Sequence, residues 1–241
     1  MTSAPKITLQ GSYCIEHDAL FEAVTLHIPA GQWTCLLGRS GVGKSTILRL
    51  ILGLETAGQF DGVVFTDDGL PIDGRASYMA QSDLLLPWLN LRENVVLGAR
   101  LRGETPNLAK ADAMIERVGL TDHYAKKPAA LSGGMRQRAA LARALMEDRP
   151  IVLLDEPFSA LDAGTRADMQ DLTADVLIGR TVLLVTHDPA EACRLGHNIS
   201  LLTPTGIEPW DVPLAAPVRQ TDDPQTLHAQ AALLSYLRAV T

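Results

Sequence analysis

A glycine-rich segment near the N-terminus carries the clearest chemical signal in the sequence. It reads Gly38-Arg39-Ser40-Gly41-Val42-Gly43-Lys44-Ser45-Thr46 and matches the pattern GxxxxGK[ST]. Glycines at this spacing let successive backbone N–H groups face phosphate oxygens, and a following helix adds the positive end of its dipole. Lys44 would contact the β- and γ-phosphates of a nucleotide, and the Ser45 hydroxyl would bind Mg²⁺. The alternative, a glycine-rich turn without a ligand, is disfavoured by the strand predicted before the segment and the helix predicted after it.

Two carboxylates at the end of an apolar run form the second candidate group. Asp155 and Glu156 directly follow Ile151-Val-Leu-Leu and precede Pro157. Burying an unpaired carboxylate is costly, so this strand end predicts a cation or a polarised water beside it. Next to a phosphate-binding loop, Asp155 is predicted to bind Mg²⁺ through water, and Glu156 to act as general base for an attacking water. The alternative is a cap for the next helix.

Two further polar residues follow predicted strands. Gln81 comes after the run RASYMA, where it could sense Mg²⁺ and the γ-phosphate. His187 comes after TVLLVT, where it could meet a γ-phosphate oxygen, although a histidine at a strand end is often structural. Because the carboxyl ends of parallel strands form the ligand-binding edge of an α/β sheet, we expect Gly38, Gln81, Asp155 and His187 to converge.

A second helix start in the chain also suits an anion. Ser132, Gly133 and Gly134 precede the helical run MRQRAALARALMED. Ser132 would either cap this helix or face a phosphate group. A simple helix start explains the three residues equally well, so the segment alone does not distinguish a helix cap from an anion site, and the other motifs are needed to decide.

The elements that must position these groups follow an α/β order. Apolar strands without alternation, each followed by a helix, predict a mostly parallel sheet covered on both faces. We predict one domain over residues 1–241. Its core covers about 1–83 and 149–205 and begins with a β hairpin, a helical subdomain is inserted at about 84–148, and a short hairpin and helix occupy about 206–241.

Composition excludes several classes of protein. Of 241 residues, 46% are hydrophobic and 20% are charged, which is incompatible with a disordered tail, a collagen-like fibre or a disulfide mini-domain. The net charge of −7 does not favour nucleic acid as a bulk partner. Three cysteines without a CxxC pair predict inert thiols in a reducing cytoplasm. No run is long and apolar enough to cross a bilayer, so we expect a soluble chain that reaches a membrane only through a partner.

The ordered set of motifs resembles the ATP-binding subunit of ATP-binding cassette (ABC) transporters. The resemblance rests on GRSGVGKS, Gln81, LSGGMRQR, IVLLDEP, SALD ending at Asp162, and His187, and it covers about residues 7 to 205. It implies a P-loop NTPase with an ABC-type β subdomain and an inserted α-helical subdomain, together with ATP and Mg²⁺ as ligands. Arg39 departs from the proline often found in the family, but this position contributes mainly backbone.

The resemblance also implies a head-to-tail homodimer that sandwiches two ATP molecules. Ser132, Gly133 and Gly134 of one copy would close on the γ-phosphate held by the other, and Asp162 would lie at the dimer seam. Gln137, which lies in the same motif, is also expected to bind the nucleotide. An aromatic residue near the N-terminus stacks on adenine in such proteins, and Tyr13 is the candidate by position.

The segment after Gln81 indicates the branch of the family. Gln81-Ser-Asp-Leu-Leu-Leu-Pro87-Trp88-Leu-Asn-Leu-Arg-Glu93-Asn94 resembles importers of nitrate, sulfonates, taurine and hydroxymethylpyrimidine, a thiamine precursor, and looks closest to the last. Trp88 and its neighbours would form a groove for a membrane partner, pack inside the helical subdomain, or do both.

The resemblance implies import of hydroxymethylpyrimidine as the first expectation, with taurine, sulfonate or nitrate import as the alternative. It implies membrane-spanning permease subunits, an extracytoplasmic solute-binding protein that acts through them, and a cytoplasmic position on the inner face of the bacterial plasma membrane. A non-importer ABC ATPase is the alternative class, and the LSGG motif argues against a P-loop kinase.

Overall fold

The computed structural model describes residues 4–16, 18–203 and 205–239. The strands are β1 Ile7–Ile15, β2 Asp18–Ile28, β3 Trp33–Gly38, β4 Gln59–Thr66, β5 Ala76–Met79, β6 Ile151–Asp155, β7 Thr181–Val185, β8 Asn198–Thr203 and β9 Gly206–Trp210. The helices are α1 Lys44–Ile51, α2 Leu91–Val95, α3 Leu97–Leu101, α4 Leu108–Arg117, α5 Gly133–Met146, α6 Ala163–Val176, α7 Pro189–Leu195 and α8 Pro224–Ala239.

These elements form two compact units. The first unit contains the residues up to Ala76, Pro150–Asp155 and the residues from Gly179 on; the second contains Ser77–Arg149 and Glu156–Ile178. This division differs from the predicted insertion at about 84–148, because α6 belongs to the helical unit although β6 separates it from the other helices in sequence. It also places β8, β9 and α8 in one unit, whereas the predicted boundary near residue 205 falls inside the β8–β9 hairpin.

A small antiparallel sheet opens the first unit. Its order is β2-β1-β4, and Ile7 lies opposite Ile28 in the register of the first pair. Ile7, Leu9 and Phe21 are fully buried, which agrees with the predicted hairpin of two β runs. This sheet brings Leu20 and Phe21 next to Gly43 of the glycine-rich loop.

A mainly parallel sheet forms the core of the first unit. Within this unit its order is β6-β7-β3-β8-β9, with β6, β7, β3 and β8 parallel and β9 antiparallel to β8. The side chains of β6 and β7 are at most 3% exposed, because both faces of the sheet are covered. Their unbroken apolar runs are the pattern of a parallel sheet between layers.

A buried arginine holds the chain between β9 and α8. Arg219 is 4% exposed and donates to the carbonyl oxygens of Ala215, Cys193, Gly196 and Pro213. These hydrogen bonds tie the irregular segment to α7, against which α8 packs. A guanidinium group supplies donors in several directions, so one side chain satisfies backbone acceptors that would otherwise be buried without partners.

Two of the three cysteines are buried. Cys35 and Cys193 are buried, Cys14 is half-buried, and none of the three forms a disulfide. Burial raises the pKa of the Cys35 thiol far above its usual range and that of Cys193 to about 11.

Helices and connecting turns make up most of the second unit. Asn90 begins α2 with a reciprocal cap: its side chain accepts from the Glu93 N–H, and Glu93 accepts from the Asn90 N–H. α5 packs against α2, α4 and α6, and Ala139, Leu141 and Ala142 on α5 are fully buried. The small residues of α5 therefore allow neighbouring helices to approach it. Within the described part of the chain, no helix has the length and apolar character to cross a membrane.

Candidate functional site

The glycine-rich loop adopts a conformation that specific glycines permit. Gly41 and Gly43 have φ values of +81° and +105°, which L-residues rarely adopt. A Cβ atom on Gly43 would also lie 2.9 Å from Leu20 Cδ2, and one on Gly38 would lie 2.6 Å from the Leu202 carbonyl oxygen. Backbone conformation and close approach therefore both require glycine, as the sequence motif predicts.

Lys44 lies across this loop. Its Nζ donates to the carbonyl oxygens of Gly38 at 2.8 Å and Arg39 at 2.9 Å, and the residue is 7% exposed. Lys44 is the first residue of α1, whose N-cap Gly43 has no side chain to cap the first turn. The positive end of α1 and the ammonium group thus lie at one short segment, which is the arrangement that binds a polyphosphate.

Asp155 and His187 emerge at the same sheet edge as the loop. Asp155 at the end of β6 is in register with Val185 on β7, and Leu36 on β3 is in register with that same residue. The Thr186 N–H continues the pairing by donating to the Leu36 carbonyl oxygen. Asp155 is buried and His187 is exposed. The first unit therefore brings three predicted groups to one edge: the loop, Asp155 and His187.

Glu156 and Gln81 meet within the second unit. Gln81 Nε2 donates to Glu156 Oε2 at 3.3 Å. Glu156 has a φ of +49°, a strained conformation for a residue other than glycine. Such outliers concentrate at functional sites, where the surrounding structure stabilises them. The convergence of all four strand-end groups remains a prediction, because Gln81 belongs to one compact unit and the other three groups to the other.

Gln137 does not have the role predicted for it. Its side chain is 6% exposed, and Nε2 donates to the Glu156 carbonyl oxygen at 3.0 Å and to Ser159 Oγ at 3.1 Å. Its Oε1 accepts from the Ala160 N–H at 2.7 Å. Both ends of the amide are thus engaged by the segment that follows β6. Gln137 positions Glu156 rather than presenting its amide to a nucleotide.

Ser132 and Asp162 each cap a helix. Ser132 Oγ accepts from the Met135 N–H at the start of α5, and Ser132 and Gly133 are exposed there. Asp162 Oδ1 accepts from the Thr165 N–H at the start of α6, and this hydrogen bond holds the pKa of the carboxyl below its usual value. The capping interpretation of Ser132 is thus confirmed. An exposed helix start next to two glycines is equally available to a second copy of the chain.

Tyr13 does not have an exposed ring. It is 2% exposed, its ring stacks on Phe21 at 5.7 Å between centroids, and its hydroxyl accepts from the Gly58 N–H at 2.5 Å. The prediction that Tyr13 stacks on adenine therefore does not fit the structure. Its place in β1 directs the ring into the core, which a position-based assignment could not reveal.

The comparisons with known proteins agree with this geometry. The family model described as "ABC transporter" matches residues 21–159, which include the loop, Gln81, the Ser132 segment and the two carboxylates. The chain belongs to the ABC transporter family. Its fold is accordingly the ABC ATPase fold, and it hydrolyses ATP, bound with Mg²⁺, in a reaction coupled to transport.

Individual relatives are also similar over most of the chain. An uncharacterized ABC transporter ATP-binding protein of Haemophilus influenzae is 44% identical over 79% of both chains. The aliphatic sulfonates import ATP-binding protein SsuB of Rhodopseudomonas palustris is 46% identical over 84% of this chain and 71% of its own. The protein of that name from an Escherichia coli strain is 46% identical over 77% and 72%.

A solved structure supports the fold. This structure is a bacterial Atm1-family ABC exporter with ATP bound. The chain superimposes on it with a TM-score of 0.76 at 23% sequence identity, and the match covers 86% of this chain and 39% of the exporter chain. At this level of identity the likeness concerns the fold alone.

The residues of the first unit fit Mg²⁺-ATP. Mg²⁺ is typically held by one or two oxygen side chains together with substrate phosphates. Ser45 follows Lys44 at the uncapped start of α1, and the Asp155 carboxylate lies at the same sheet edge, so a hydroxyl and a carboxylate are available at the phosphate-binding loop. Among the described residues, no group of three or more His, Cys, Asp and Glu side chains lies together as a metal site.

Sequence reasoning missed a set of contacts in this ABC domain. Asp83, two residues after Gln81, accepts from Arg136 Nε at 2.9 Å. Its carbonyl oxygen accepts from Arg143 Nη2 at 2.6 Å, and the Leu84 carbonyl oxygen accepts from Arg143 Nη1 at 2.8 Å. Both arginines lie on α5. The segment after Gln81 is therefore bound to the helix that begins at the LSGG motif. The arginines of MRQRAALAR are visible in the sequence, but the sequence does not show which groups accept their hydrogen bonds.

The apolar segment after Gln81 is at the surface of its unit. Trp88 is 65% exposed and Leu84 is 61% exposed. The alternative in which Trp88 packs inside the helical subdomain is therefore wrong. Buried Asn94 fixes the local path, because its Oδ1 accepts from the Leu86 N–H and its Nδ2 donates to the carbonyl oxygens of Leu86 and Leu89. These contacts leave the two apolar side chains exposed.

Proposed function

We propose that this chain is the ATP-binding subunit of an importer for aliphatic sulfonates. The observation that carries the proposal is the 46% identity, over 84% of this chain, to a protein named for aliphatic sulfonate import. The glycine-rich loop with Lys44 in one unit, and Glu156 hydrogen-bonded to Gln81 in the other, support a hydrolytically competent subunit. The chain would supply the motor, and other subunits would select the solute.

Each residue has a defined part in the proposed hydrolysis. Lys44 leaves the carbonyl oxygens of its own loop and contacts the β- and γ-phosphates, while the first-turn N–H groups of α1 face the same oxygens. Ser45 and Asp155 would hold Mg²⁺, which would screen the phosphate charge. Glu156 takes a proton from the attacking water, and Gln81, which hydrogen-bonds to Glu156, orients that carboxylate. His187 donates to a γ-phosphate oxygen.

The nucleotide also drives association in this proposal. Two copies pair head to tail, so the exposed Ser132 and Gly133 of one copy meet the γ-phosphate bound by the other. ATP then binds the closed pair more tightly than the open one, which is the differential affinity that any conformational switch requires. Hydrolysis removes the γ-phosphate contact, and the pair reopens.

The exposed Leu84 and Trp88 are the proposed contact with a permease subunit. An exposed cluster of large apolar side chains is typical of a protein-binding surface. Through this contact the chain would lie on the inner face of the plasma membrane, and the permease would connect it to an extracytoplasmic solute-binding protein. The hydrogen bonds between the Asp83 segment and α5 would carry the movement from the ATP site to this contact.

A hydroxymethylpyrimidine is the second candidate solute. It rests only on the resemblance of the segment from Gln81 to Asn94 to ATPases of thiamine-precursor uptake. The relatives reported above are named for sulfonates instead, so we place the sulfonate class first.

Transport by the assembled complex tests the solute. The chain should be copurified with its permease, reconstituted in vesicles with the solute-binding protein, and assayed with an alkanesulfonate, taurine, hydroxymethylpyrimidine and nitrate. We expect ATP-dependent uptake of the alkanesulfonate and none with the Lys44→Ala variant. Uptake of hydroxymethylpyrimidine alone would establish the second candidate, and uptake of none of the four would contradict both.

The permease contact has a separate test. Trp88→Ala should reduce the amount of permease that copurifies while leaving ATP affinity within about twofold of wild type. Ile178→Ala, which removes another exposed side chain of the same unit, is the matched control and should retain the permease. Circular dichroism should show that the Trp88 variant stays folded, and full retention of the permease by this variant would contradict the proposed contact.

A further inference from the structure

Glu191 is a buried carboxylate in the helix that follows the His187 segment. It lies in the first turn of α7 and is 4% exposed. Burial, and after it the charge of Glu191, raise the pKa of the Cys35 thiol on β3, so this carboxylate lies in the interior beside the sheet. Burying a carboxylate is costly unless hydrogen bonds replace the water that it loses. One such hydrogen bond leads to the site described above.

The hydroxyl of Thr186 connects this carboxylate to the His187 segment. Thr186 directly follows β7, is 2% exposed, and donates from Oγ1 to Glu191 Oε2 at 2.7 Å. The same Oγ1 accepts from the Asp188 N–H at 3.0 Å. A hydroxyl has one proton to donate, so donation to Glu191 leaves the oxygen lone pairs available to the Asp188 N–H. Glu191 thereby sets the direction of the Thr186 hydroxyl.

His187 lies inside the turn that this hydroxyl closes. The hydrogen bond joins the residues on either side of it, and threonine hydroxyls commonly close turns over two residues in this way. On the sheet side, the Thr186 N–H donates to the Leu36 carbonyl oxygen at 3.2 Å. On the helix side, Asp188 Oδ1 accepts from the Ala190 N–H at 2.8 Å. The backbone around His187 is therefore held from both directions, while His187 itself is exposed.

We propose that Glu191 is a positioning residue for ATP hydrolysis, which holds His187 in place through the Thr186 hydroxyl. The proposal rests on the proposed contact between His187 and the γ-phosphate. Glu191 is buried and would not touch the nucleotide; it would keep the turn closed, so that the imidazole stays at the sheet edge. Misplacement of a reacting group by about an ångström is enough to slow a reaction strongly.

Turnover and ATP affinity, measured together on this chain, test the connection. Glu191→Met replaces the acceptor with an apolar side chain of similar length, and Thr186→Val removes the hydroxyl. Each should lower kcat about tenfold, which corresponds to about 1.4 kcal/mol of activation free energy, and leave ATP affinity within about twofold. Affinity is expected to persist because Lys44 and the glycine-rich loop are unchanged. Glu191→Gln keeps an oxygen that accepts the Thr186 proton and should stay within about threefold of the wild-type kcat.

The other end of β7 offers a matched control. Thr181 is fully buried, and its Oγ1 donates to the Pro5 carbonyl oxygen at 2.7 Å and accepts from the Gly31 N–H at 3.0 Å. Thr181→Val therefore removes an equivalent pair of hydrogen bonds from the same strand, away from His187. It should lower the free energy of unfolding about as much as Thr186→Val and leave kcat at the wild-type value.

A double-mutant cycle separates positioning from general stabilisation. In a His187→Ala background, Glu191→Met should change the remaining rate by less than about twofold, because the side chain that it positions is gone. Carbon–proton NMR of the histidine rings is a second measurement, in which the His187 signal is the one missing from His187→Ala. This signal should move in Thr186→Val and stay in place in Thr181→Val, even if Glu191→Met folds poorly.

Four results would overturn the proposal. They are a wild-type kcat in Thr186→Val, an equal loss of kcat in Thr181→Val, an equal further loss of rate on adding Glu191→Met to His187→Ala, and an unmoved His187 signal in Thr186→Val. In each of these cases the His187 contact and the proposed import function stand. Hydrolysis at the wild-type rate by His187→Ala alone would instead remove the assigned role of His187, and the positioning role of Glu191 with it.

Discussion

Glu156, the proposed general base, has an uncommon backbone conformation. Its φ of +49° is stabilised by two contacts: Gln81 binds its carboxylate, and Gln137 binds its carbonyl oxygen at 3.0 Å. The two glutamines therefore act on different atoms of one residue. Strain at this position is compensated by hydrogen bonds that also orient the carboxylate, which is the pre-organisation a general base needs.

Replacement of this carboxylate is expected to stop turnover while leaving the fold intact. Glu156→Gln should lower the rate of ATP hydrolysis about 10²- to 10⁴-fold, the usual contribution of a general base. ATP affinity should be retained, because Lys44 and the loop are unchanged. Steady-state hydrolysis and equilibrium binding measure the two effects, with the exposed Glu116→Gln in the same unit as control. Hydrolysis at the wild-type rate would show that Glu156 is not the base.

At the scale of elements, the segment after Gln81 and helix α5 form one connected piece. Arg136 and Arg143 bind this segment through one carboxylate and two carbonyl oxygens. These hydrogen bonds connect the helix that begins after Ser132 to the start of the segment that leads to the exposed Trp88, within one unit. Such a network is a physical route for coupling between the sites, and coupling energies are the evidence that would demonstrate it.

The Asp83–Arg136 pair should show a small, salt-sensitive coupling. Its side chains are 31% and 37% exposed, so water screens the charges and we expect about 0.2–1 kcal/mol from a double-mutant cycle. Urea unfolding of Asp83→Asn, Arg136→Gln and the double variant gives this value. It should fall when salt is raised from 0.05 to about 0.5 M. A coupling energy of zero at low salt would contradict the assignment.

The cap of α6 should make stability depend on pH. The Asp162 carboxylate accepts the Thr165 N–H only in the folded chain, and its pKa is therefore lower when folded than when unfolded. This contribution is present above the unfolded pKa of about 4 and is lost as the pH falls through the folded value. The difference in urea midpoint between wild type and Asp162→Asn should thus shrink between pH 6 and pH 3. A difference that grows over this range would reverse the assigned sign.

At the scale of the whole molecule, the two proposed contacts with the γ-phosphate lie on different units. The loop and the start of α1 belong to the first unit, and the exposed helix start at Ser132 belongs to the second. A head-to-tail pair would use both, since each copy would complete the site of the other. Symmetric pairs in which each subunit supplies the same two patches are a common form of assembly.

A bulky charge at the LSGG motif should therefore prevent pairing and spare ATP binding. Gly133 is exposed, and a Cβ atom there would approach nothing closer than 4.0 Å, so Gly133→Arg is compatible with the fold. In a Glu156→Gln background, sedimentation with ATP should show a dimer, and adding Gly133→Arg should give a monomer with unchanged ATP affinity. An ATP-dependent dimer in the double variant would contradict the head-to-tail arrangement.

The sequence by itself determined the features that are local in the chain. The loop from Gly38 to Thr46 could be assigned because nine consecutive residues specify its turns, the positively charged Lys44 and the helix that follows. The apolar runs of β3, β6 and β7 likewise predicted a parallel sheet, since burial on both faces leaves a continuous pattern. The order of these motifs was sufficient to identify the family.

Only the tertiary structure decided the features that depend on distant partners. Tyr13 and Tyr236 are both tyrosines beside apolar residues in sequence, yet one is buried by Phe21 and the other lines a pocket with the loop. The sequence suggested that Gln137 contacts the nucleotide, whereas its amide nitrogen donates to the Glu156 carbonyl oxygen and to Ser159 Oγ. Burial and hydrogen-bond partners arise from residues that meet through folding, and short-range patterns contain no record of which residues will meet.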